Sequence, residues 1–106
     1  MTSQFGLVVK FTLKAGQEES FDNLVQETLA EIHAHEPGTL AYVSHVVHGA
    51  PSQRLFYELY RDRAAFEAHE LQPHVRRFLD LRNEHVNRVD VDFLSPVSSL
   101  DPVQER

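Results

Sequence analysis

The sequence predicts one α+β domain whose elements run in the order β-α-β-β-α-β. Three observations predict it. The first run, Phe5, Leu7, Val9, Phe11 and Leu13, is apolar at every second position, which is the period of a strand. From Gln17 the period lengthens to that of a helix with one buried face. Beyond Pro37-Gly38, two strand-like runs are joined by a short connection rich in turn formers, as an antiparallel hairpin requires.

The elements follow in order. In the first strand Gly6, Val8, Lys10, Thr12 and Lys14 fall between the apolar residues, so one face is apolar and the other mixed. Ala15-Gly16 ends it. Phe21, Leu24, Val25, Thr28, Leu29 and Ile32 then recur at helical spacing, giving an amphipathic helix of about 18 residues. Glu18 and Glu19 lie in its first turn, where the helix dipole favours negative charge, and Pro37-Gly38 stops it. The second strand spans Thr39 to His48, with Leu40, Tyr42, Ser44 and Val46 on one face. Gly49 to Ser52 reads as a four-residue turn, and Arg54 to Tyr60 as a third strand that is apolar or aromatic on both faces. Asp62 is a good N-cap for a second helix. Pro73 must either break that helix at Gln72 or restart it as a first helical residue. Val89, Val91 and Phe93, alternating with Asp90 and Asp92, make the fourth strand, which Ser95-Pro96 ends.

This order is the ferredoxin-like split βαβ arrangement: a four-stranded antiparallel sheet with two helices on one face. The domain is expected to occupy residues 1–96, with 97–106 a polar C-terminal tail. Strands that are apolar on both sides need both faces covered, and a second copy packed sheet to sheet covers them, so a homodimer is expected.

Composition narrows the function. At 106 residues the chain is too short for a doubly wound dinucleotide fold or an α/β barrel. A net charge of −6 with only 10 Lys and Arg argues against nucleic acid and anionic membrane as partners. The absence of Cys removes disulfides, thiolate metal sites and a cysteine nucleophile, and fits a reducing cytoplasm. There is no apolar run long enough to span a bilayer and no signal-peptide pattern at the start. The four glycines are isolated, so no phosphate-cradling loop is present. Seven histidines invite a metal, but no His-Glu-x-x-His occurs and His33 and His35 diverge around their helix. The expectation is no cofactor and no metal.

The chemistry-bearing stretch is Tyr57 to His74. Phe66 and His69 share one helical face with Ala65 beside them, so a histidine stands where an inward apolar residue is expected. Glu58 lies in mid-strand, where a carboxylate is costly unless partnered. Tyr57 and Tyr60 are on opposite faces of that strand, and His74 follows the helix-restarting proline. A half-buried His, a strand Glu and aromatic rings suit proton abstraction from an enol or phenol in an apolar site. The competing reading is a satisfied core histidine, with Glu58 simply accepting a bond from His69 or Arg54.

These residues also carry a family resemblance. Glu36-Pro37-Gly38 with Leu40 and Tyr42, Tyr57-Glu58 with Tyr60, Asp62, Ala65-Phe66, and His69-x-x-x-Pro73-His74 with Phe78 behind resemble the antibiotic biosynthesis monooxygenase domain family over about residues 5–94. The resemblance implies a dimeric α+β barrel. It implies a monooxygenase that oxidises a quinol, phenol or polyketide-like aromatic with molecular oxygen, using neither metal nor flavin. The catalytic residues expected are His69 as base, Glu58 orienting it and His74 as a second proton handler. Tyr57, Tyr60, Phe66 and Phe78 are the expected pocket walls. The family also includes the isomerase of phosphorylated autoinducer-2, so proton transfer on a small metabolite is an alternative, and a non-enzymatic ligand-binding dimer a second one. Haem-degrading relatives share the fold, but the first strand here has Phe11 and Thr12 without a central Asn, and position 69 is His where that branch has Trp.

Overall fold

Alternation along the first strand decides which side of the sheet the helices cover. In the computed structural model, which describes residues 3–100, β1 (Phe5–Leu13) is followed by α1 (Glu18–His35), β2 (Thr39–Val47), β3 (Ala50–Tyr60), α2 (Arg63–Glu70), α3 (Pro73–Leu81) and β4 (Val86–Leu94). The sheet order is β2-β3-β1-β4 and every neighbour is antiparallel. This is the ferredoxin-like arrangement, with Leu7, Val9, Phe11 and Leu13 all turned to the helices and buried. They meet Phe21, Leu24 and Val25 of α1, Phe56 and Tyr60 of β3, Phe66 of α2 and Phe78 of α3. Phe11 packs edge-on against Phe56 at 4.7 Å between ring centroids and against Phe78 at 6.2 Å. Such edge contacts add to the burial itself. Arg54, buried on the same face, donates two hydrogen bonds to the Asp22 carboxylate at 2.9 and 3.0 Å, and so ties β3 to α1.

Three local features differ from the sequence expectation. The hairpin turn is two residues, His48-Gly49, and β3 starts at Ala50 instead of Arg54. Gly49, at the second turn position, has φ +82°, a left-handed value that glycine adopts freely. Leu40 does not align with Tyr42: the pairing slips between Thr39 and Ala41, which leaves Leu40 half exposed. β4 begins three residues earlier, because Lys14 N–H bonds the His85 carbonyl and Val86 is drawn into the core.

The second helix is two helices. Pro73 lacks an N–H and its ring would strike the preceding turn, so α2 ends at Glu70. Gln72 is extended, at φ −68° and ψ 140°, and Pro73 opens α3 as its first residue. Asp62 caps α2 by accepting from Ala65 N–H at 2.8 Å. A 3₁₀ turn, Arg82–Glu84, leads from α3 to β4.

Among the described residues no helix covers the opposite face of the sheet. Val43, Tyr57 and Val8 form one row across it, with Ala41, Leu59 and Gly6 in the row beside, while Asp90 and Asp92 make the β4 flank acidic. Tyr57 and Val43 are 36% and 44% exposed. Residues 97–100 have no regular structure, and the rest of the expected tail, 101–106, lies outside the described residues. No helix among the described residues is long and apolar enough to cross a membrane.

Candidate active site

Continuous helix would have separated the two histidines. Residues five apart are turned by about 140° on an α-helix. The break at Pro73 turns α3 relative to α2, and His69 and His74 now converge on one carboxylate. His69 Nδ1–H donates to Glu36 Oε1 at 2.7 Å, and His74 Nε2–H donates to Glu36 Oε2. Thr39 Oγ1–H adds a third bond to Oε1 at 2.7 Å. Glu36, His69 and His74 all lie at or below about a tenth exposure.

Glu36 is the residue that caps α1. Its backbone N–H returns to the Ile32 carbonyl, and Pro37-Gly38 then carries the chain into β2. Burial alone would push the pKa of its carboxyl up, but the bonds from His69, Thr39 and His74 outweigh that. The carboxyl is held below its ordinary value. An ionised carboxylate only accepts, so the proton of neutral His69 sits on Nδ1 and the Nε2 lone pair is free. Among the described residues Nε2 has no protein hydrogen-bond partner.

The His69 ring lies among aromatic rings. Tyr60, Tyr42 and Phe66 approach it at centroid distances of 5.0, 5.7 and 6.4 Å. Phe66 continues into a cluster with Phe5 and Phe93. Glu58 faces the same interior, but its partner is Tyr60, whose hydroxyl donates to Oε1 at 2.6 Å. Burial raises the Glu58 carboxyl above its ordinary value despite that bond. Burial likewise raises the phenols of Tyr42 and Tyr60, with the Glu58 charge adding to it. Around Glu58, Tyr42 and Tyr60 the interior therefore resists negative charge, in contrast to the three-donor site that holds the Glu36 carboxylate.

Set against the sequence, the structure brings together His69, His74, Tyr60 and Phe66, with Glu58 close by. The orienting bond expected from Glu58 is made by Glu36, and Arg54, the other expected partner of Glu58, is bonded to Asp22. Tyr57 is on the open face of the sheet, away from His69. Phe78 belongs to the core around Phe11, Phe21 and Phe56. His74 faces outward into a cleft of about 780 Å³ between α1 and α3, lined by His35, Glu31, Gln72 and Arg77. Among the described residues no group of three His, Asp or Glu has the geometry to hold a metal. Glu36, Thr39 and Tyr42 are the participants that site reasoning missed. The missed signal was an acidic residue at a helix C-terminus, where the dipole repels it unless cations or donors hold it there.

Fold and sequence together place the class. The chain belongs to the antibiotic biosynthesis monooxygenase family, whose pattern matches residues 4–81. Similar solved structures include a Pseudomonas aeruginosa protein, 24% identical, which aligns over 92% of this chain and 98% of its own with a TM-score of 0.83. A Mycobacterium tuberculosis protein, 20% identical, aligns over 93% of this chain and 100% of its own with a TM-score of 0.85. A Caulobacter crescentus protein assigned to antibiotic biosynthesis monooxygenases is 17% identical over 92% of each chain, with a TM-score of 0.86. At these identities the likeness shows the fold. No curated protein matches the chain.

Proposed function

We propose that the protein is a monooxygenase that oxidises a quinol, phenol or polyketide-like aromatic with molecular oxygen, drawing on no flavin or metal. The observation that carries this reading is the His69 ring, with Nδ1 bonded to the buried Glu36 carboxylate and Nε2 left free among aromatic side chains. Family membership supports the same reaction class. His69 Nε2 takes a proton from the substrate hydroxyl or activated carbon, and Glu36 stabilises the imidazolium that forms. The electron-rich substrate anion gives one electron to oxygen, and the resulting radical pair combines at carbon to a peroxide anion. His69 returns its proton to that peroxide. The O–O bond then breaks as the C–H proton on the same carbon leaves, giving a carbonyl and water, so one oxygen atom enters the product and the other leaves as water. Phe66, Tyr42 and Tyr60 keep bulk water away from the anion.

Oxygen uptake with a panel of quinols and hydroxylated polycyclic aromatics tests this, with the product mass read after labelling with heavy oxygen gas. One labelled oxygen atom per product is expected. Turnover that proceeds equally well under argon would replace the oxygenase by the isomerase reading, which uses the same histidine. Binding without turnover would favour the non-enzymatic one.

The open sheet face leads us to propose a second copy of the chain as its cover, since Val8, Val43, Tyr57 and Leu59 make an apolar stripe across its middle. Light scattering near neutral pH is expected to return twice the protomer mass, and Val43→Lys with Tyr57→Lys to return the protomer mass. A wild-type monomer at micromolar concentration would refute the pairing.

A further inference from the structure

Arg82 is a half-buried cation whose buried Nε has no partner among the described residues. It lies in the 3₁₀ turn after α3, and its guanidinium carbon sits 5.8 Å from the centre of the Phe11 ring. Its Nε is the one buried side-chain nitrogen or oxygen among the described residues that has no hydrogen-bond partner. No carboxylate within ion-pair distance faces it among the described residues, whereas the buried Arg54 has Asp22. Burial works against its charge, and the groups whose charges act on it are Tyr42 and Glu58, the same two that surround the His69 end of the interior. An unsatisfied donor on a half-buried guanidinium is costly, by an amount comparable to a lost hydrogen bond, unless a ligand completes it.

The surface beside it is built for a flat apolar ligand. Phe11 pairs with Val89, and Val89, Val91 and Phe93 share the helix-facing side of β4. The helices stop short of this strand: Val91 is 45% and Phe93 63% exposed, although both face the covered side of the sheet. An apolar shelf therefore runs along the inner face of β4 to the guanidinium, with the Phe5 and Phe66 rings next to Phe93.

We infer that Arg82 is the anchor of an anion subsite, which receives the deprotonated oxygen or carboxylate of an aromatic ligand lying on Val91 and Phe93. The inference rests on the proposed use of this interior as the substrate site, and names the substrate as one that is bound, or becomes, an aromatic anion. The guanidinium offers a planar donor pair that matches such an oxygen, and its positive charge offsets the resistance of the interior to anions. The substrate is then held by Arg82 at one end and loses a proton to His69 at the other, and the negative charge left behind delocalises through the conjugated ring to the oxygen that Arg82 holds.

Calorimetric titration of the full chain with 1-naphthoate and with its neutral counterpart, 1-naphthamide, tests this without any turnover, so it stands apart from the oxygen-uptake result. The wild-type protein is expected to bind naphthoate at least about tenfold more tightly. Arg82→Gln should erase that preference and Arg82→Lys should keep part of it. In the wild type, saturating naphthoate should also shift the Arg82 Nε–H resonance and naphthamide should not, a reading that needs no variant to fold. Equal affinity for the two ligands, a preference that survives in Arg82→Gln, or an unmoved Nε–H resonance under bound naphthoate would each overturn the subsite. Arg82 would then be a core cation supported by Phe11 alone.

Discussion

Glu36→Ala is expected to lower the melting temperature by more than 10 °C and to abolish activity together. Three donors converge on this carboxylate: His69, His74 and Thr39. It also sits where α1, β2, α2 and α3 come together, so its loss is felt by every helix. Deleting one member of a buried, hydrogen-bonded set leaves the others without partners, which typically costs about 3–5 kcal/mol. For a domain of this size each 1 kcal/mol is worth about 4–8 °C. Glu36→Gln should cost less, because the amide oxygen still accepts from His69 and Thr39, and His74 can turn its lone pair to the amide nitrogen. The pH dependence has a defined sign. A carboxyl held below its ordinary value contributes stability that is complete above about 4.5, the unfolded value, and is lost as pH falls through the lower folded value. The stability of the wild type should therefore fall in that acid range, and that of Glu36→Gln should fall less steeply. Melting curves of the three proteins between pH 3 and pH 7 decide it. A Glu36→Ala protein that melts within 2–3 °C of wild type, where the roughly 4–8 °C per kcal/mol scale would make the loss well under 1 kcal/mol, would show that the carboxylate holds nothing.

The fold was legible because each element announces itself in its own period. The spacing of Phe21 to Ile32 can only be helical, and that of Phe5 to Leu13 only a strand; both bounds fell where the pattern ended. What the period does not encode is pairing. Leu40 alternates correctly with Tyr42 in sequence, yet a slip in the β2–β3 ladder takes it out of register. The early start of β4 is similar: Asn87 and Arg88 mask the strand, and it is the pairing with β1 that recruits Val86. Pro73 offered two outcomes, and the extended Gln72 realises both, a break followed by a restart.

The site was half legible for a related reason. His69 could be found because a polar residue interrupts an apolar helical face, and such an interruption is local. Glu36 lies 33 residues away in sequence from His69, and only the tertiary arrangement makes them partners. Glu58 was the nearer carboxylate in the chain and so the more natural guess. Its neighbour two positions along the same strand, Tyr60, satisfies it instead, because residues i and i+2 share a strand face. Arg82 gave no local sign at all. At the polar end of a helix an arginine is unremarkable, and only the lack of a partner at its buried Nε sets it apart.

His69→Ala is expected to reduce turnover of a true substrate by about 10²–10⁴-fold, the usual contribution of a positioned acid–base group. The substitution also empties space beside Tyr60, Tyr42 and Phe66, so some loss of stability must be separated from loss of chemistry. Three comparisons make the separation. His69→Gln fills most of the volume and can still meet Glu36, but cannot act as a base near neutral pH, so it should be folded and nearly as inactive as the alanine. Added imidazole should restore part of the rate to His69→Ala, whose cavity can admit it, and none to His69→Gln. His33→Ala, on an exposed position of α1, should match wild type throughout. If His69→Gln is folded and turns over substrate at the wild-type rate, the proton acceptor is another group. The convergence on Glu36 would then serve to lock α2 and α3 against α1 and β2, with no part in proton transfer.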